Sequence, residues 1–193
     1  APLPPGPVRI GCINNPVKLG RGTIRLLAET LHAVPDSVLV LQAFAFLDEF
    51  TVTRIKRLMQ RMGIHSGRIE CHPPTAFDEH LTLHGGCHIA IDSIPWTGHT
   101  TTCHALWMGV PVVTVAGDHP CARMGVSVVH RAGYPELVSD SIEDMPRRVC
   151  EILNGRLDLV DFRARIREAM RHSPLMDERG FGEAFVAALQ TAH

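Results

Sequence analysis

Residues 88–115 read HIAIDSIPWTGHTTTCHALWMGVPVVTV, and the fold turns on this stretch. His88 to Asp92 is a short apolar-rich run that predicts a buried strand. Thr101 to Met108 carries Ala105, Leu106 and Trp107 in a helical pattern that stops at Gly109. Val112 to Val115 is a second unbroken apolar run, as expected of a strand covered on both faces.

Towards the N-terminus the same unit repeats. Val8 to Ile13 predicts a strand, Asn14-Asn15-Pro16 a turn, and Ile24, Leu27, Ala28 and Leu31 share one face of a helix. Val38 to Leu41 predicts the next strand, and Ile55, Leu58, Met59 and Met62 the next helix, ending on Gly63. Arg68 to Cys71 as strand and Phe77 to His84 as short helix complete the series up to residue 88, and Val112 to Val115 is expected to close it. Such alternation predicts an α/β chain with a Rossmann-like, doubly wound parallel sheet, whose ligands sit outside the carboxyl ends of the strands. Beyond Ala122 the chain reads as mostly helical. Leu159, Phe162, Ile166 and Met170 form one apolar stripe and Phe181, Phe185 and Leu189 another, both expected to pack back on the sheet.

At 45 % hydrophobic residues, 193 residues are enough for one domain with its own core. Nineteen basic against twenty acidic side chains give a formal charge of -1, so neither nucleic acid nor an anionic membrane is an expected partner. No apolar run approaches the roughly 20 residues of a membrane span, and the opening APLPPGP lacks the regions of a signal peptide. Residues 1–7 read as an extended Pro-rich linker to a domain over 8–193, and the lack of an initiator methionine raises the expectation of an excised part of something longer. Six widely spread cysteines without a CxxC pair are expected to be reduced thiols in a cytoplasmic protein.

The loop from Asp92 to Thr102 lies where such folds hold their ligands. Gly98 allows close backbone approach, and Thr100, Thr101 and Thr102 bring three hydroxyls to a helix N-terminus, where unpaired N–H groups and the positive dipole end suit a diphosphate. A helix cap alone needs one hydroxyl.

Gly98-His99-Thr100-Thr101, followed by Ala105 through Thr114, resembles the C-terminal catalytic lobe of the O-GlcNAc transferase family and its bacterial relatives. Cys12-Ile13-Asn14-Asn15 with Lys18, Val34 to Leu39, Asp78-Glu79-His80-Leu81, Cys121-Ala122-Arg123 and Ser173-Pro174-Leu175 follow in that family's order at similar spacing. The resemblance implies the C-terminal half of a GT-B glycosyltransferase. It implies a lobe that binds a nucleotide sugar without metal or other cofactor, serving transfer of GlcNAc from UDP-GlcNAc to Ser or Thr of a protein acceptor. An N-terminal catalytic lobe and TPR repeats are implied as further parts. By motif position Asn15 and Lys18 would face the diphosphate, His80 the nucleoside, and His99, Thr100 and Thr101 the phosphates, with Gly98 and Thr102 of the same loop counted in the substrate site. Lys18 would also be catalytic, its ammonium neutralising charge on the departing nucleoside diphosphate. His104 stands where relatives carry Asp or Glu for a ribose hydroxyl, and Phe77 and Leu83 replace basic residues that the human enzyme has beside the base. The donor therefore stays open between UDP-GlcNAc and the GDP-fucose used by SPINDLY-type relatives.

Other readings weigh less. His80, His84, Cys87 and His88 lie close in sequence, with His80 and His84 one helical turn apart, but no second cluster or fixed-offset Glu accompanies them as in strong zinc signatures. A non-catalytic nucleotide-binding module shares the fold. An epimerase would need acid and base carboxylates that do not stand at matching positions.

Overall fold

The computed structural model describes residues 2–191; the ends of the two predicted segments, Ala1, Ala192 and His193, lie outside the described residues. Six parallel strands form one sheet in the order β3-β2-β1-β4-β5-β6. They are β1 (Val8–Cys12), β2 (Ser37–Gln42), β3 (Ile69–His72), β4 (Ile89–Ile91), β5 (Val112–Val115) and β6 (Val138–Ser139). The helices are α1 (Arg21–Ala33), α2 (Glu49–Arg61), α3 (Phe77–Gly85), α4 (Thr100–Trp107), α5 (Met124–Arg131), α6 (Met145–Glu151), α7 (Leu159–Arg171) and α8 (Glu178–Thr191). The predicted doubly wound α/β architecture is therefore present.

The apolar runs become the sheet's centre because both faces are covered. Ile10 in β1, Val40 and Leu41 in β2, Ile89 in β4 and Val113 in β5 have no exposed surface. On one face α1 packs against α2 and α6, and on the other α4 packs against α3, α5 and α7. Register runs parallel throughout, with Ile10 beside Leu39 on one side and Ile89 on the other. Gly11 fits in β1 because a Cβ there would stand 3.0 Å from Cys87 Sγ. Buried Arg163 of α7 donates to the carbonyl oxygens of Cys87 (3.0 Å) and Gly85 (2.6 Å), fastening the helix over the end of α3.

Two expectations need correction. β5 does not close the series: β6 pairs with it in parallel, Thr114 beside Val138 and Val115 beside Ser139. A two-residue strand ending in a serine offers too short a pattern for periodicity to register. Of the two apolar stripes, Phe162, Ile166 and Met170 of α7 are buried as expected. Those of α8 are not: Phe181, Phe185 and Leu189 remain 71 %, 54 % and 53 % exposed, and no α8 residue is buried. Earlier helices already cover the sheet, so of this stripe Phe181 lines a cavity with Met124 and Val128 of α5 and stays largely in solvent like the rest.

The six cysteines are free thiols. No helix among the described residues is long and apolar enough to cross a membrane.

Candidate functional site

The strand order reverses between β1 and β4, and a crevice opens beyond their carboxyl ends, where such sheets bind ligands. A cavity of about 370 Å³ lies there. Its walls are Asn14 and Asn15 after β1, Gln42 and Phe44 at the end of β2, Phe77 and His80 on α3, and Thr101 on α4.

The loop between β4 and α4 is built around one buried carboxylate. Asp92 Oδ1 accepts from the Gly98 amide (3.0 Å) and from the Thr102 hydroxyl (3.4 Å). The Thr97 hydroxyl accepts from the Gly125 amide (3.1 Å), which ties the loop to α5, and Ser93 donates to the Trp96 carbonyl (2.7 Å). Gly98 is required here for space. A Cβ would collide with Thr102 Oγ1 and stand 2.6 Å from Asp92 Oδ1 and 2.9 Å from Thr101 Oγ1. Gly98→Ala is accordingly expected to destabilise the protein by about 1–3 kcal/mol, as overpacking does. Gly20→Ala, whose Cβ would meet nothing within 4 Å, serves as control. Urea unfolding of the two variants checks this, and equal midpoints would show that the loop yields freely.

Lys18 is carried to this loop by the turn after β1. The Asn15 side chain accepts from the Val17 amide (3.1 Å), and the Lys18 amide donates to the Asn15 carbonyl (2.9 Å). The Thr23 hydroxyl lies 2.8 Å from the carbonyl oxygens of both Lys18 and Ile94, which share its one proton, and it accepts from the Ile94 amide at 3.2 Å, so it joins both loops. Lys18 Nζ then donates to the Thr97 carbonyl at 3.0 Å and stands 5.3 Å from the Trp96 ring centroid. Burial lowers the Lys18 ammonium from the ordinary lysine value, while Asp92 opposes the shift. A cation is thus held near a helix N-terminus with no ion pair at hydrogen-bond distance among the described residues.

At that N-terminus no side chain caps α4 from His99, and the first-turn amides of a helix have no intrahelical partner. The three threonines face different ways. Thr100 is exposed, Thr101 lines the cavity and donates to Asn14 Oδ1 (3.2 Å), and Thr102 is buried with its hydroxyl turned to Asp92. The helix brings two hydroxyls, not three, towards the open side, because successive side chains rotate by roughly 100°.

Of the other predicted residues, Asn15 and His80 join Thr101 at the cavity. His99 lines a separate cavity of about 470 Å³ with Met124, Arg131 and Phe181. His104 meets His80, with Nδ1 3.1 Å from His80 Nε2, and Phe77 packs edge-on to it at 5.4 Å. Sequence reasoning did not single out Gln42, whose amide oxygen lies 2.6 Å from His80 Nδ1. Its one sequence signal is its place at the carboxyl end of a parallel strand.

Sheet order, crevice and uncapped helix together define the C-terminal, Rossmann-like lobe of a GT-B glycosyltransferase. The whole chain superposes on a mutant of the Thermobaculum terrenum O-GlcNAc transferase with a TM-score of 0.82 and 33 % identity, spanning 36 % of that chain. S. aureus TarM shares the fold at a TM-score of 0.62 and 13 % identity, over 89 % of this chain and 34 % of its own. Residues 3–185 match the sequence model of glycosyl transferase family 41, and the chain belongs to that family. The probable UDP-N-acetylglucosamine--peptide N-acetylglucosaminyltransferase SPINDLY of Arabidopsis thaliana is 29 % identical over 189 residues, which is 97 % of this chain but 20 % of that protein. The UDP-N-acetylglucosamine--peptide N-acetylglucosaminyltransferase of Caenorhabditis elegans is 26 % identical over 168 residues, 87 % of this chain and 14 % of its own. The chain thus spans about a fifth or less of these curated relatives.

Proposed function

We propose that this chain is the nucleotide-sugar-binding lobe of a protein O-glycosyltransferase that moves N-acetylglucosamine from UDP-GlcNAc to serine or threonine hydroxyls. The observation that carries the reading is that Lys18 is tied to the loop leading into the uncapped N-terminus of α4 beside the crevice, in a member of glycosyl transferase family 41. The amides of Thr100 and Thr101 and their hydroxyls receive the diphosphate, a task that needs no metal ion. Asn15 and Lys18 meet the diphosphate from the β1 side, and the cavity between Phe44, Phe77 and His80 takes the nucleoside. The acceptor oxygen attacks the anomeric carbon, the bond from that carbon to the diphosphate breaks, and the Lys18 ammonium stabilises the negative charge left on the nucleoside diphosphate. The hydroxyl proton goes to a base outside this lobe. That base, the acceptor cleft and TPR repeats belong to the remaining four-fifths of a protein of the Arabidopsis relative's size. Six free thiols agree with a reducing, cytoplasmic setting.

Calorimetric titration with UDP and GDP in the presence of a chelator tests the reading. UDP is expected to bind, and to bind more tightly than GDP; preference for GDP would move the donor to the GDP-fucose class. Failure of both at millimolar concentration, or binding only with magnesium, would sink the diphosphate site.

A further inference from the structure

Three histidines converge where α3 packs against α4, with His80 in the wall of the cavity and His84 near Asp92 and Thr102. His80 and His84 stand one turn apart on α3, and His104 comes from the second turn of α4. One ring nitrogen of each lies within 4.8 Å of those of the other two, and among the described residues no other group of three His, Cys, Asp or Glu comes so close. His80 Nε2 is 3.1 Å from His104 Nδ1. The His84 ring sits edge-on to both, with centroids 4.7 Å from His80 and 6.1 Å from His104.

The hydrogen bonds fix how His80 presents itself. Gln42 Nε2 donates to the Pro73 carbonyl and to Thr75 Oγ1, both at 3.1 Å, which sets the amide orientation. Its oxygen therefore faces His80 Nδ1 at 2.6 Å, and since that oxygen only accepts, Nδ1 carries the proton. The lone pair of His80 is left on Nε2, towards His104. A carbonyl behind a histidine is how metal-ligating imidazoles are commonly held. His84 is 3 % exposed, and its Nε2 has no hydrogen-bond partner among the described residues, an uncommon state for a buried ring nitrogen.

We propose that His80, His84 and His104 bind one divalent first-row transition ion of zinc's class, with Gln42 holding His80 from behind. Three imidazoles around an ion at about 2.0–2.1 Å stand roughly 3.4 Å apart in a tetrahedral site, so nitrogens that lie within 4.8 Å of one another would close by at most about 1.4 Å. Imidazole nitrogen selects zinc, cobalt, nickel or copper, whereas magnesium takes oxygen ligands. The site is thus chemically unsuited to serve a diphosphate through magnesium, and its test needs no nucleotide, although His80 also lines the cavity proposed for the nucleoside. Cys87 and His88, neighbours in sequence, take no part. Burial pushes the Cys87 thiol up to about 12 with its sulfur turned to the Leu83 carbonyl, and His88 Nδ1 accepts from the Arg9 amide at 3.1 Å.

The test is titration of the chelator-stripped protein with cobalt(II), read by visible absorption, with zinc added to displace it. One equivalent is expected to produce the absorption of a low-coordinate nitrogen site, zinc to abolish it, and magnesium to leave it unchanged. His84→Ala and His104→Ala are expected to weaken binding at least about tenfold, and Gln42→Ala about ten- to a hundredfold as loss of a supporting hydrogen bond does. His104→Asp keeps a ligand and retains the absorption. The exposed pair His130→Ala and His172→Ala controls for ions gathered by surface histidines. Metal-free unfolding midpoints identify any variant that fails to fold, in which case Gln42→Ala and His104→Asp decide. No binding to the wild type, or equal cobalt affinity of the wild type and every folded cluster variant, would overturn the site.

Discussion

In the full-length protein, Lys18→Ala is expected to lower kcat for sugar transfer by about a hundred- to a thousandfold, the usual loss when one preorganised charge at the leaving group is removed. The reasoning starts from position. Lys18 reaches the loop through a turn locked by Asn15 and Thr23, so its ammonium is placed before any ligand arrives. Among the described residues the ammonium's one hydrogen bond is to a neutral carbonyl, that of Thr97, so no carboxylate there cancels its charge by contact. A departing diphosphate gains negative charge as the sugar bond breaks, so the lysine interacts more strongly with the transition state than with the bound donor. That difference appears in kcat. A purely structural role predicts otherwise: loss of the tie to Thr97 would loosen the loop and raise KM for the donor while kcat held. Lys18→Met keeps most of the apolar stem over Trp96 and removes only the charge, so it should fall with Lys18→Ala in kcat. Wild-type kcat in both variants would reduce Lys18 to a loop tie.

The alternation of apolar runs with helical patterns was enough to read five of the six strands, because buried parallel strands must be apolar along their whole length. β6 escaped since Val138 and Ser139 are held by pairing with β5 more than by any pattern of their own. The stripe on α8 was legible as a stripe, but periodicity says which face is apolar and not what it meets. At the site, Gly98 and the helix N-terminus were readable from local composition. What was not readable came from contacts distant in sequence: Lys18 with Thr97, and His80 with His104. The three consecutive threonines show the same limit at short range. Counted in sequence they are equivalent, yet one turn of helix sends Thr102 to Asp92 and leaves Thr100 in solvent. For the same reason the zinc reading placed Cys87 and His88 with His80 and His84, whereas the fold brings His104 to that pair instead.

The part of the stability that depends on Asp92 is expected to fall as pH rises from about 4 to about 7, and is read as the difference between the wild type and Asp92→Asn, in which the buried histidines common to both cancel. Asp92 is buried, with Oδ2 lacking a hydrogen-bond partner among the described residues. Burial pushes its carboxyl up to about 6, against the opposing effects of the Thr114 hydroxyl, the Gly98 amide, Lys18 and Thr102. The Thr114 hydroxyl faces Oδ2, but neither atom completes a hydrogen bond of good geometry. Because the folded value lies above the unfolded value of about 3.9, folding favours the protonated acid. The contribution is fully present below about pH 4 and is lost as pH rises through about 6, a difference on the order of 3 kcal/mol at 1.36 kcal/mol per unit. Asparagine keeps an oxygen for Gly98 and Thr102, gains an N–H for the unpaired Thr114 hydroxyl, and does not ionise. The urea midpoint of Asp92→Asn should therefore exceed that of the wild type at neutral pH, with the gap closing towards pH 4. A gap that stays constant across this range would mean that the carboxyl titrates as an ordinary aspartate. A wild type that gains on the variant as pH rises would mean that Lys18 and the loop amide outweigh burial. If the expected slope appears, the ionised carboxylate that anchors Gly98 beneath the loop is kept at neutral pH at the expense of stability. That is the sign of a site shaped for binding rather than for a stable fold.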